Sequence, residues 1–81
     1  MMHPMSPHEF SFRVFSYRLD IAFARQRRDL EVQSIEQLKA AYDGHVPQAI
    51  WEKQRRRIKS AQIRLGVRRS MLTVFLKDLR N

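Results

Sequence analysis

The sequence predicts an all-α protein, and three observations lead to that fold class. Apolar residues recur every seven positions through the C-terminal half, from Trp51 to Leu79, which is the spacing of a helix packed against another helix. Helix-stop and helix-start signals occur together once, around Gly44. Two glycines and three prolines in 81 residues leave long segments that nothing interrupts. We therefore expect a small helical bundle, built from two long hairpin helices or from three to four shorter helices.

The first helix is expected to begin after a flexible tail of residues 1–5, so that one helical domain spans residues 6–81. Ser6 can cap this helix, Pro7 suits its first position, and Glu9 lies three residues after the cap. The aromatic residues that follow also alternate, as they would in a strand. No other segment alternates to pair with such a strand, and the sequence therefore favours a helix.

Helical spacing sorts the apolar residues of this first segment into two stripes. One stripe consists of Phe10, Val14, Tyr17, Ile21 and Ala24. The other consists of Phe12, Phe15, Leu19 and Phe23. A helix that is apolar nearly all round is buried on more than one side. We expect the second stripe to lie in the core or in an oligomer interface, because so small a domain cannot bury every aromatic residue.

The middle of the chain leaves two interpretations open. Arg28 and Glu31 fall on the first apolar stripe as it continues along the chain. Either these polar residues lie between helices and set their register, or the helix breaks near residues 29–33. In the second case, which we favour, a new helix begins at the capping signal of Ser34.

The second long segment is expected to follow a turn at residues 44–46, since Gly44 favours a helix end and Pro47 a helix start. The predicted core of this segment is the seven-residue repeat together with the flanking Phe75: Trp51, Ile58, Leu65, Leu72 and Leu79. A second apolar set lies on the opposite side of the same projected helix: Ile63, Val67, Met71 and Val74. Either one straight helix lies between two partners, or the chain bends at Gly66 and turns both sets into one core.

Residues 58–78 contain Leu65-Gly66-Val67, followed by the polar residues Arg68 and Arg69. This order resembles the helix-turn-helix motif of DNA-binding repressors, in which a helix ends in Leu-Gly-Val and a recognition helix comes after a few polar residues. The resemblance implies a second turn at residues 66–69. It also implies a recognition helix that approaches phosphates and base edges with Arg68, Arg69, Ser70, Thr73 and Lys77. The seven-residue repeat continues across Gly66 without a break, which supports the alternative of one long hairpin.

The net charge of +8 lies entirely in the C-terminal part of the chain. Residues 1–50 carry six Lys/Arg and six Asp/Glu, whereas residues 51–81 carry ten and two. Such a local positive field attracts polyanions. The sequence therefore predicts a surface that binds nucleic acid, with DNA favoured over RNA, or an acidic protein. Besides the residues that the resemblance implies, the predicted binding residues are Lys53, Arg55, Arg56, Arg57, Lys59 and Arg64.

Other classes of function have little support in the sequence. His3, His8 and His45 are scattered and no cysteine accompanies them, so no metal site is predicted. No phosphate-binding loop or nucleophile motif is present, and we expect no catalytic residues, no cofactor, no membrane association and a cytoplasmic location. The predicted function is that of a small basic DNA-binding or regulatory protein, either a homo-oligomer or a subunit of a larger complex. The alternative is a non-enzymatic helical adaptor or inhibitor subunit that docks on a larger protein or nucleoprotein assembly.

Overall fold

The computed structural model describes residues 5–80 and shows two long helices that form an antiparallel hairpin. Helix α1 spans Pro7–Ala41 with 35 residues, helix α2 spans Gln48–Arg80 with 33 residues, and residues 42–47 connect them. The Cα atoms extend over 60 × 18 × 13 Å, so the hairpin is a rod. The predicted all-α class is confirmed. Residues 1–4 of the predicted tail, and Asn81 at the end of the predicted domain, lie outside the described residues.

Helix α1 begins at the predicted capping signal and continues through the middle of the chain. The Ser6 hydroxyl accepts a hydrogen bond from the Glu9 amide at 3.1 Å. The predicted break at residues 29–33 is absent, and that prediction is wrong. Ser34 does not cap a new helix. Its hydroxyl donates to the Leu30 carbonyl at 2.9 Å, as serines inside helices do.

The connection between the helices depends on two residues with positive φ. These are Asp43 at 50° and Gly44 at 82°, in the left-handed region that favours glycine. The Gly44 amide donates to the Lys39 carbonyl at 2.8 Å and so satisfies a carbonyl at the end of α1. The chain enters α2 directly after Pro47, whose fixed φ suits the start of a helix.

The two helices meet along a seam that has a seven-residue repeat on both sides. On α1 the seam consists of Val14, Tyr17, Ile21, Ala24, Arg28, Glu31, Ile35 and Leu38. On α2 it consists of Trp51, Gln54, Ile58, Ala61, Leu65, Arg68, Leu72 and Phe75. All these residues are buried or partly buried, in the pattern of an antiparallel coiled coil. The repeat that the sequence shows on α2 therefore faces the stripe of α1 that begins at Phe10.

One hydrogen-bonded pair shows the register of the seam. The Gln54 side-chain amide donates to the Glu31 backbone carbonyl at 2.7 Å and to the Glu31 carboxylate at 3.2 Å. Gln54 is only 6% exposed. Three steps of seven residues along each helix from this pair bring Phe10 opposite Phe75, and these two rings lie 6.2 Å apart. The same register therefore holds from the part of the hairpin near the connection to its open end.

The apolar core between the helices is small. Among residues 5–80 the buried apolar residues are Ala24, Ala61 and Leu65. The register places the two alanines opposite each other, and their small side chains let the helix backbones approach closely. Two helices with so few buried side chains gain limited stability from apolar burial.

An aromatic cluster around Phe75 joins the helices at the open end of the hairpin. The Phe75 ring lies 6.2 Å from that of Phe10 and 5.2 Å from that of Tyr17. The Arg13 guanidinium lies over the same ring, 5.1 Å from its centroid. Aromatic pairs at such distances contribute about 0.5–1.5 kcal/mol each beyond their buried area. These contacts hold the first turns of α1 against the last turns of α2.

Four residues of the predicted core lie outside the hairpin core. Their exposed fractions are 66% for Phe12, 62% for Phe15, 41% for Leu19 and 60% for Phe23. They lie on the far side of α1 because each residue turns the helix by about 100°, and the other stripe occupies the seam. Their placement in the core of the hairpin is wrong, whereas their placement in an oligomer interface stays a prediction. Leu79 is also exposed, because the register brings it level with Ser6, which precedes the first residue of α1.

Helix α2 continues through Gly66 without interruption, so the predicted second turn at residues 66–69 is absent. The reason is that Leu65 and Arg68 remain in the seam on either side of the glycine. The recognition helix implied by the helix-turn-helix resemblance would need a turn there, and residues 58–78 form one stretch of helix instead. The resemblance stays a prediction from the sequence.

We expect Gly66→Ala to stabilise the protein by about 1 kcal/mol, since alanine is the better helix former and the space around this position is open. Gly44→Ala is the matched control, and it should destabilise the protein by about 1–2 kcal/mol because a Cβ disfavours the left-handed region. Urea unfolding followed by circular dichroism measures both free energies. A destabilising Gly66→Ala would contradict the continuous helix.

Candidate nucleic-acid interface

The cations of α2 have no carboxylate partners among the described residues. The ion pairs found within residues 5–80 all lie in α1: Arg27 with Glu31 at 3.5 Å, Arg28 with Asp29 at 2.9 Å, and Lys39 with Glu36 at 3.7 Å. None of the ten Lys and Arg residues of α2 takes part in an ion pair in this part of the chain. The positive charge of α2 is therefore not compensated at short range.

Four cations of α2 and one of α1 line a shallow groove, which we name the cationic groove. Its lining residues are Arg27, Glu31, Lys53, Arg56, Arg57, Ser60, Ala61 and Arg64. All five of its cations are exposed. Glu31 supplies the one carboxylate of this lining, and it is already held by Arg27 and by the Gln54 amide. The groove therefore presents an excess of positive charge to solvent.

Helix geometry aligns these cations along one side of α2. Lys53, Arg57 and Arg64 are spaced by four and seven residues, which keeps them on neighbouring parts of one helix face. From Lys53 to Arg64 the helix rises by about 16 Å. One strand of a DNA duplex places about five phosphates along that length. The groove thus matches a stretch of phosphate backbone in both charge and length.

The structure brings together four of the predicted binding residues: Lys53, Arg56, Arg57 and Arg64. The other exposed cations of the prediction lie outside the groove: Arg55, Lys59, Arg69 and Lys77. They extend the positive field around the rod, but they do not line the same concave surface.

Three predicted residues have other contacts. Arg68 is partly buried in the seam, and its guanidinium donates to the Met71 sulfur at 3.9 Å. The Thr73 hydroxyl donates to the Arg69 carbonyl at 3.1 Å, within its own helix. Ser70 lies in an apolar groove with Met71. None of the three lines the cationic groove.

Arg27 is a groove residue that the sequence did not predict, because it lies on α1, where acidic and basic residues balance. It reaches the groove because the register sets the middle of α1 beside the basic segment of α2. The signal that could have found it is the seven-residue repeat on both helices. Aligning the two repeats about Glu31 and Gln54 places Arg27 beside the α2 cations.

A second groove near the open end is mainly apolar, and we name it the apolar groove. Its lining residues are Met5, Arg13, Tyr17, Ile63, Gly66, Val67, Ser70, Met71, Val74, Phe75, Asp78 and Leu79. It includes the whole second apolar set that the sequence predicts on α2, and those four residues are exposed. Nothing within residues 5–80 covers this surface.

No group of three or more His, Cys, Asp or Glu side chains that could hold a metal ion occurs between residues 5 and 80. In the same part of the chain, neither helix has a segment both long enough and apolar enough to cross a lipid bilayer.

Comparisons of this chain with known protein families, with curated proteins and with solved structures found no match.

We expect the melting temperature of the hairpin to rise by about 4–8 °C when salt is increased from about 0.02 M to 0.5 M. Three pairs of like charges stand four residues apart on α2: Lys53 with Arg57, Arg55 with Lys59, and Arg64 with Arg68. Each such pair destabilises a helix by about 0.2–0.5 kcal/mol, and salt screens the repulsion. Thermal unfolding followed by circular dichroism, on protein free of nucleic acid, measures the effect.

The control for this experiment is Arg57→Gln/Arg64→Gln, which removes two of the three repulsive pairs. This variant should lose more than half of the salt-dependent rise in melting temperature. A melting temperature that falls with salt, or a variant with an unchanged rise, would contradict the view that the α2 charges are uncompensated.

Proposed function

We propose that this chain is a non-enzymatic nucleic-acid-binding protein whose cationic groove holds the phosphate backbone of duplex DNA. The observation that carries the proposal is the lack of carboxylate partners for the α2 cations within residues 5–80. A cation held in an ion pair must give up that partner to bind phosphate, whereas these cations need not. Three of the five groove cations are arginines of α2: Arg56, Arg57 and Arg64. A guanidinium can bind two phosphate oxygens at once.

The shape of the hairpin supports contact with the backbone rather than with base edges. The rod measures 18 × 13 Å across its Cα atoms, whereas the major groove of B-DNA is about 12 Å wide. The two-helix rod is therefore too broad to enter that groove as one body. Contact through phosphates carries little sequence information, and we expect binding with little sequence preference. Such a protein would act on DNA in a regulatory or organising role.

Binding to a fluorescein-labelled DNA duplex, measured by anisotropy at several salt concentrations, tests this function. With the four groove cations of α2 engaged, the plot of log affinity against log salt should have a slope of about −4. Arg57→Gln/Arg64→Gln should reduce the size of that slope by about 2, because two phosphate contacts are lost. A single-stranded RNA of the same charge, tested in parallel, shows whether duplex DNA is preferred.

The matched control is Arg55→Gln/Arg69→Gln, which removes the same charge from the same helix outside the cationic groove. Its slope should stay closer to that of the unchanged protein than the groove variant does. An equal reduction of the salt slope in the two variants would contradict the cationic groove as the binding site. An affinity that does not change with salt would contradict the proposal that this chain binds nucleic acid through phosphates.

The second candidate function is a helical adaptor or inhibitor subunit, and the apolar groove favours it. Val67 is 52% exposed, and Ile63, Met71 and Val74 beside it are also exposed. Arg13 lies in the same groove, and Arg64 and Arg68 are close by along α2. An apolar surface with cations at its edge suits an acidic amphipathic helix of a larger protein.

Affinity capture from nuclease-treated lysate of the source cells tests the adaptor function. We expect a protein that is retained by the unchanged chain and lost with Val67→Glu, since a buried carboxylate in the apolar groove would disfavour docking. Phe15→Glu, an equivalent change on the far side of α1, should retain it. Retention by all three chains would count against the apolar groove as the docking surface.

A further inference from the structure

We infer that a second copy of this chain packs on the outer apolar surface of α1, so that the protein is a dimer with four helices. This surface, here named the aromatic stripe, consists of Phe12, Phe15, Leu19, Ala22 and Phe23, all of which are exposed. The inference concerns a surface apart from the cationic groove, and it does not depend on nucleic-acid binding.

The exposed area of the hairpin leaves room for such an interface. A chain of 9.8 kDa exposes 6934 Å² here, whereas a folded monomer of that mass exposes about 5,200 Å² on average. The excess of about 1,700 Å² follows in part from the rod shape of the hairpin, and it is larger than the roughly 800 Å² that each partner loses in an interface of standard size. Three phenylalanines at 60–66% exposure place about 100 Å² of ring surface each in contact with water. The aromatic stripe therefore offers about 300 Å² of apolar ring surface to a second copy.

Charge favours the aromatic stripe, rather than the apolar groove on α2, as the interface between two copies. Residues 9–24 carry two acidic and two basic side chains and sum to zero. Residues 60–79 carry four basic side chains and one acidic, a net charge of +3. Two identical basic surfaces repel each other, whereas two neutral apolar surfaces do not. A second copy thus fits the stripe on α1 better than the groove on α2.

The spacing of the stripe makes it complementary to itself. Phe12, Phe15, Leu19 and Ala22 are separated by three, four and three residues, and the order reads the same from either end. An antiparallel pair of α1 helices about a twofold axis therefore sets Phe15 opposite Leu19 of the second copy. It also sets Phe12 opposite Ala22 of the second copy, a large side chain against a small one. A twofold dimer requires a surface of this kind, which is complementary to the same surface on the second copy.

Sedimentation equilibrium of the nuclease-treated, full-length protein tests this inference. We expect a particle of twice the 9.8 kDa chain mass at micromolar concentration, and an association that salt strengthens, because salt screens the repulsion between two basic chains. DNA binding through phosphates has the opposite salt dependence, so failure of one proposal is distinguishable from failure of the other. Phe15→Glu should yield a monomer. Val67→Glu, which changes an exposed apolar residue of α2, should leave the dimer intact.

A monomer at all concentrations would overturn the inference, and so would a mass that grows beyond two copies. A dimer that Val67→Glu disrupts and Phe15→Glu does not would also overturn it.

A cross-linking measurement covers the case in which Phe15→Glu fails to fold. The chain contains no cysteine, so Phe15→Cys and Leu19→Cys each introduce a single thiol. Under oxidation a mixture of the two variants should cross-link several-fold faster than either alone. A mixture that cross-links no faster overturns the antiparallel pairing.

Discussion

Two helices packed side by side share one seam, and each helix can bury only the stripe that faces the other. This constraint decides the rest of the hairpin. Both helices carry apolar residues on two sides, so one apolar stripe of each must remain on the outside. The seam takes the stripes with a seven-residue repeat, since only these stay in contact along the helices, over residues 14–38 of α1 and 51–75 of α2. The apolar stripe of each helix that lies outside the seam becomes part of the outer surface of the hairpin.

The hydrogen bond between Gln54 and Glu31 lies in the half of the seam that is nearer the connection, and it links packing to charge. A buried amide needs a partner, and sliding either helix by one turn would leave Gln54 without the carbonyl and carboxylate that it binds. The pair therefore favours one register among those that the apolar repeat would allow. Because Glu31 also holds Arg27, the same pair fixes an α1 cation beside those of α2. The register of the helices and the composition of the cationic groove thus have a common origin.

The three outer surfaces differ in the interactions that they can make. The cationic groove presents charges that salt screens, and the aromatic stripe offers apolar area without net charge. The apolar groove combines both features near the open end of the hairpin. A dimer formed through the aromatic stripes would leave a cationic groove free on each copy, so that one DNA duplex could contact two of them. Avidity of this kind raises affinity without any new type of contact.

The sequence by itself determined the all-α class, the capped start of α1 and the seven-residue repeat on α2, because caps and helical periodicity are local properties of the chain. It also located the basic segment that supplies most of the cationic groove. Only the tertiary structure decided which of the two stripes on α1 is buried, since both have helical spacing and the choice depends on the partner helix. For the same reason the sequence could not show that α1 continues past Arg28 and Glu31, or that Arg27 joins the groove. A polar residue such as Glu31 in an apolar stripe indicates a helix break until the side chain that bonds to it, Gln54, is known to lie opposite.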